Sequence, residues 1–205
     1  MLGDAAVDRL SDLVETQLRP LALKGKATAQ NALGVVCQNG WGCEPNYAEA
    51  ESWYRRAAEQ GDAQAQYNLA NIFFNGLAMP RHYEEAQEWY LKAAEQGHAD
   101  AQFHLGFIYA NGIRVACDDI EAARWYAKAA EQGHTKAQVN LGVIYCNGLG
   151  ILENKVLAHM WFALAAKNGE DGAAKNRDAV ARELTDDERA KSRELARRWL
   201  RRHGR

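Results

Sequence analysis

Apolar residues recur along this chain with a helical rhythm, broken at regular points by Asn-Gly or a lone glycine. In residues 61–96, Ala65, Leu69, Ile72 and Phe73 fall at helical spacing, and Asn75-Gly76 then supplies the left-handed residues that stop a helix. Ala86, Trp89, Tyr90, Ala93 and Ala94 form a second stripe, closed by Gly97. Both stripes return along the chain. Gly25, Gly61, Gly97, Gly133 and Gly169 are 36 residues apart, as are Trp53, Trp89, Trp125 and Trp161, each followed by another aromatic. Leu33, Leu69, Leu105 and Leu141 keep the same step, and AAEQG is spelled at 57–61, 93–97 and 129–133. A period of this size marks a solenoid, in which each hairpin must stack on the next to bury its apolar face.

The pattern predicts no strand, A helices over 27–39, 63–75, 99–111 and 135–147, and B helices over 47–60, 83–96, 119–132 and 155–168. The B helices have Asn46, His82, Asp118 and Asn154 at their N-caps, and His82 is the weak one. Trp and Tyr fill the space between units. Trp89, with neighbours on both sides, should therefore be buried, and Trp199, in the terminal cap, should matter less.

Residues 4–23 read as a helix in the B position, bent at Pro20. A last A-type helix runs from Ala173 to about Leu184. Thr185 to Glu188 then form a capping box that opens a final helix to about Arg202, with Leu195, Trp199 and Leu200 against the stack. Polar outer faces are expected at both ends. The organisation is a capping helix (1–24), four repeats (25–60, 61–96, 97–132, 133–168) and capping helices (169–205).

Composition changes this picture little. With 47% apolar and 25% charged residues the chain is globular, and a net charge of −2 provides no general basic field for nucleic acid. No window approaches the ~20 apolar residues of a membrane span. The first residues lack a basic n-region and an apolar h-region, so a cytoplasmic location is expected, or a periplasmic or secreted one had a leader been removed.

The string AQYNLANIFFNG…YEEAQEWYLKAAEQG resembles the Sel-1-like repeat, a relative of the tetratricopeptide repeat, over residues 25–168. The signature is clearest in the fourth unit, Leu141-Gly142 to Tyr145 and Gly148 to Ile151. Departures are Cys37 and Phe73 for Tyr, Ala70 for Gly, and loop glycines lost at Ala78 and Arg114. The resemblance implies an all-α, right-handed α/α solenoid of helix-turn-helix repeats with a 36-residue period. It also implies bacterial signalling, envelope or host-interaction roles. Cysteine-rich relatives staple adjacent helices with two cysteines per repeat. The matching positions here are Ala58 with Gln66 and Ala94 with Gln102, so that framework is absent. Cys37, Cys43, Cys117 and Cys146 are expected to be unbridged thiols in a reducing compartment.

Catalytic chemistry is hard to find. There is no phosphate-binding glycine loop, and none of Ser11, Ser52 and Ser192 has Lys three residues on, which removes the nucleophile of penicillin-recognising enzymes. His98 and His134 stand one repeat apart, where stacked helices hold them too far apart to share a metal, so they read as polar residues opening A helices. No catalytic residue, metal site or cofactor is expected. The arginines of RRWLRRHGR read as a solvated cap face, with an acidic partner as the functional alternative.

What remains is a surface. Geometry carried over from tetratricopeptide arrays places Asn31, Gln64, Tyr67, Asn71, Phe74, Phe103, Phe107, Val139 and Val143 on or beside a concave face, in columns that vary between units. The aromatics could floor a groove for a peptide or helix. The expected function is a non-enzymatic scaffold, acting as a monomer, that binds a protein or peptide there, without nucleic acid or membrane insertion. Behind it stands an envelope or host-interaction factor acting through the convex face or basic tail, and behind that an enzyme or an RNA-binding repeat protein.

Overall fold

The computed structural model describes residues 4–41, 44–78 and 80–204, and Cys43 lies outside them. All regular structure among the described residues is helical. The order is α1 (Asp4–Leu13), a π-helical segment (Val14–Leu18), α2 (Arg19–Leu23), α3 (Ala27–Asn39), α4 (Tyr47–Glu59), α5 (Ala63–Asn75), α6 (Tyr83–Glu95), α7 (Ala99–Asn111), α8 (Asp119–Glu131), α9 (Thr135–Asn147), α10 (Lys155–Lys167), α11 (Asp171–Ala181) and α12 (Asp186–Arg202). The four A helices are α3, α5, α7 and α9, bounded as expected. The B helices α4, α6, α8 and α10 each stop one residue earlier than predicted. Two compact units result, Met1–Ala101 and Gln102–Arg205, the division falling within α7.

Side-chain caps explain where the helices begin. Asn46 accepts from the Glu49 amide, Asp118 from Ile120 and Glu121, and Asn154 from Leu157, whereas His82 makes no capping bond. Thr185 and Glu188 form the reciprocal capping box at α12. Gly76 and Gly148 end α5 and α9 at φ 68° and 64°, a region that costs a side chain energy. Arg114 adopts φ 59° where the equivalent Gly150 has 66°, so the third repeat keeps the loop conformation despite having lost its glycine.

In the first unit Leu33, Tyr54, Leu69, Ile72, Phe73 and Tyr90 are buried, each at 1% exposure or less. In the second, Tyr126, Leu141, Ile144, Met160, Trp161, Leu164 and Trp199 form one cluster, with Leu195 and Leu200 packed against it. The tryptophans correct the expectation for them. Trp53, Trp125 and Trp161 are buried, but Trp89 is only half-buried, with the Lys92 ammonium 3.8 Å from its ring centroid. Trp199 is 5% exposed, meets Trp161 edge-on, and donates its indole N–H to Glu131. The cap tryptophan is thus the better buried.

Two features tie each hairpin. Gln30, Gln66 and Gln138 open their A helices with buried side chains that donate back across the turn to the carbonyls of Ala22, Ala58 and Ala130. The glutamine of AAEQG then completes the rung: Gln60 donates to Gln30, Gln96 to Gln66 and Gln132 to Gln102, all at 2.7 Å. The ladder stops at the fourth repeat. Asn168 stands where a fourth glutamine is due, and the buried Gln138 Oε1 has no partner. The second feature is close A-to-B contact: a Cβ on Gly34, Gly106 or Gly142 would lie 2.6–2.7 Å from the ring of Tyr54, Tyr126 or Phe162. The second repeat has Ala70 there, fully buried.

The ends differ, against the expectation of two polar caps. The outer face of α12 carries Lys191, Arg193, Arg197, Arg198, Arg201 and Arg202 in the open. The N-terminal helix instead exposes Leu13, Leu21 and Leu23, with Trp41 nearby in the chain also exposed. Pro20 stands in the first turn of α2, directly after the π segment. Leu13, Leu18 and Arg19 all keep right-handed helical angles, and the π turn just before Pro20 makes room for a residue that lacks an N–H.

Candidate functional site

The A helices position the candidate residues. In the first unit α3 and α5 carry a chain of amides. Gln64 donates to Asn68 Oδ1, and Asn68 donates to Asn31 Oδ1 at 2.9 Å. The Gln64 carbonyl meets His98 Nε2 at 3.1 Å, while His98 Nδ1 accepts from the Ala101 amide. Both contacts are made by one neutral tautomer, with its proton on Nε2. Burial favours that neutral form and lowers the His98 pKa, with Asp100 opposing. Tyr67 stacks on the same imidazole at 4.6 Å, and burial raises its phenol pKa. Asn71 accepts from the Tyr90 hydroxyl at 2.6 Å, and Phe74 lies edge-on to Tyr83. Tyr67, Asn71 and Phe74 are all half-buried, and Gln64 is exposed.

The second unit repeats one motif and changes another. Phe103 stacks on His134 at 4.6 Å, as Tyr67 does on His98 one repeat earlier, and His134 caps α9 through Nδ1 to the Ala137 amide. Phe103 also packs against the core cluster around Tyr126. Phe107, at the position of Asn71, is 37% exposed and borders a cleft of about 300 Å³ with Tyr126, Asn140, Val143 and Leu149. Val139 and Val143 lean on Phe162 and Val180, so they stand partly on the core.

Within each unit the candidates thus share neighbours: Asn31, Gln64 and Tyr67 through the amide chain and His98, Phe107 and Val143 through the cleft. Three of the Asn-Gly asparagines bond back onto their own helices. Asn39, Asn75 and Asn111 each donate to the carbonyl four residues back. His98 and His134 are N-caps as expected, and no cluster of metal-ligating residues occurs among the described residues. A buried His159–Ser192 contact of 2.7 Å joins α10 to α12. Sequence reading missed it, since no motif marks residues 33 apart. Both groups are buried, and the pair ties the cap helix to α10.

Comparison with protein families matches the Sel1 repeat model to residues 27–62, 63–98, 99–134 and 135–170. The chain belongs to the Sel1 repeat family. Its helices, A and B in alternation at a 36-residue period, are those of the family's helical solenoids. Among solved structures, this Sel1 chain is similar to a Sel1 repeat protein from Oxalobacter formigenes, at 34% identity and a TM-score of 0.72, over 77% of this chain and 46% of that one. It matches the protective antigen c5321 of uropathogenic Escherichia coli at 25% identity and a TM-score of 0.46, over 91% of this chain and 56% of that one. It matches Helicobacter pylori cysteine rich protein B at 23% identity and a TM-score of 0.51, over 62% and 91%. The chain therefore spans about half the length of the first two. No curated protein matches it. Sel1 repeat proteins are in general protein-interaction scaffolds. No described helix is long and apolar enough to cross a membrane.

Proposed function

We propose that this Sel1 chain is a non-enzymatic scaffold that holds a partner protein or peptide on a concave face built from the A-helix columns. The observation that carries the reading is Phe107. It is a large apolar ring left 37% exposed beside a cleft of about 300 Å³, on a helix whose Ala101, Leu105 and Ile108 are buried. An exposed ring in a depression is the usual form of an anchor site, since it leaves water only when a partner arrives. Tyr67 and Phe74 supply part-exposed rings in the first unit. The amides of Gln64, Asn31 and Asn71 are held in fixed positions by internal bonds. Phe103 serves differently, holding the His134 cap while offering one edge.

The test is capture of a binding partner by wild type and by Phe107→Ser. The expected loss is ~2 kcal/mol or more in affinity with the melting temperature nearly unchanged. Full affinity in the variant, or loss only with Lys191 and Arg198 reversed, moves the site to the basic cap. A reducing, cytoplasmic setting goes with this reading, since Cys117 and Cys146 are free thiols. An intramolecular disulfide in freshly prepared protein, seen by non-reducing mass spectrometry, would sink that part.

A further inference from the structure

The second unit carries a second cleft beside the one at Phe107. Half-buried Val143 lines both and divides them. Phe107, Ile144 and Leu149 give the first its apolar part. Phe162, Val180 and the exposed Ala179 do the same for the second, of about 210 Å³. The first lies between α7 and α9 and the second between α9 and α11, so the two stand one helix spacing apart, ~8–10 Å. Each cleft also has an asparagine at the same place in its A helix, Asn140 in the first and Asn176 in the second, 36 residues on.

These amides select the conformation of what lies there. An asparagine side chain donates and accepts, as a peptide unit does. A helical partner pairs its backbone groups internally, whereas an extended one carries open N–H and C=O groups at every residue. Asn140 is held by a hydrogen bond with the Tyr126 hydroxyl, and the Asn176 side chain makes no hydrogen bond among the described residues. In polyproline II geometry, side chains three residues apart face the same way at ~9.3 Å, which matches the spacing of the clefts. A flat strand misses it, since its like-facing side chains fall at ~6.7 and ~13.4 Å.

Charge adds a third feature. Asp119, in the first cleft, and Glu183, in the second, are the charged groups of the lining, and neither cleft is lined by a cation. Glu183 is already bonded by Lys155, while Asp119 makes no ion pair among the described residues. The open carboxylate thus lies beside Phe107.

We propose that this groove takes an extended peptide in polyproline II geometry, with two apolar side chains three residues apart, one in each cleft, and a Lys or Arg next to the one at Phe107. The assignment rests on the partner surface proposed above and adds the register and charge of its ligand.

The probe is a displayed library of random short peptides selected on the full chain. The sequences recovered should share apolar residues at i and i+3 and a basic residue beside one of them. Ala179→Trp, which fills the second cleft from an exposed position, should weaken a selected peptide ~30-fold or more with the melting temperature unchanged. Asp119→Asn should weaken it ~3-fold and, when the selection is repeated, remove the basic preference while keeping the apolar pair. Peptides lost with Phe107→Ser but indifferent to Ala179→Trp would keep the partner surface and overturn the two-cleft register. An apolar spacing of i and i+7, the mark of a helix, would do the same, as would a library without a binder. Peptides indifferent to both variants would overturn the partner surface as well.

Discussion

The second repeat, 63–98, and the fourth, 135–170, are written in the same letters and held together differently. In the second, Gln66 makes both its rung bonds, Ala70 fills the contact site and His82 caps nothing. Its tryptophan, Trp89, lies half in solvent under Lys92. In the fourth, Gln138 is half satisfied, Gly142 lets Phe162 approach, Asn154 caps, and Trp161 is buried against Trp199. A repeat letter therefore fixes a position in the hairpin but not its energetic weight. That weight depends on what packs against it.

The tryptophans should show the contrast most strongly. Trp161→Ala removes a ring buried in the cluster with Met160, Leu164 and Trp199 and should cost ~3–5 kcal/mol. Trp89→Ala should cost about half as much, because its ring already meets water. Equal shifts in chemical denaturation midpoint would erase the distinction. The contact glycine comes next. Gly142→Ala improves helix propensity but puts a methyl 2.7 Å from Phe162, and should destabilise by ~1–3 kcal/mol. A rise in melting temperature would mean that the ring moves aside, as it must have done beside Ala70.

The unfinished rung yields a gain. Asn168→Gln lengthens the side chain by one methylene toward the buried Gln138 Oε1 and should stabilise by about 1 kcal/mol. Gln96→Asn, which breaks the completed rung of the second repeat, should cost a similar amount. No change in either would show the rungs to be neutral.

The smallest effect concerns pH. Burial lowers the pKa of His98 in the second repeat, and burial together with Arg177 and Arg193 lowers that of His159 in the fourth. Each binds its proton less readily folded than unfolded, so stability is full above the ordinary value of 6.5 and falls as the pH drops below it toward the folded value. His98→Asn, which keeps an N-cap acceptor but gives up the Tyr67 stack and the Gln64 contact, should lower stability somewhat at pH 8 and flatten the slope below pH 6.5. An unchanged slope would assign it to His159.

Much of this was legible in the chain. Helix bounds, the caps at Asn46, Asp118 and Asn154, the weakness of His82 and the capping box at Thr185 all rest on signals within a few residues, and sequence carries those directly. The exposure of Trp89 and the burial of Trp199 depend on which neighbour packs against each ring, which no local pattern states. The bare N-terminal leucines escaped because a π turn shifts the helix face by one residue. The ladder was visible only as repeated Gln. Its partners lie eight and 30 positions apart, and their meeting requires the hairpin. Among the candidate residues the columns were readable, but not the split between Phe103, held by His134, and Phe107, left open.

The amide ladder also governs how such an array can change in length. Every inserted block of 36 residues brings one glutamine that donates and one that receives, so a duplication or deletion leaves each remaining rung whole and strands no odd thiol. Growth by copying then needs no oxidant and no isomerase to sort new pairings. An array built this way can lengthen by gene duplication without any change in redox conditions, and in the fourth unit Asn168 stops one methylene short of the rung.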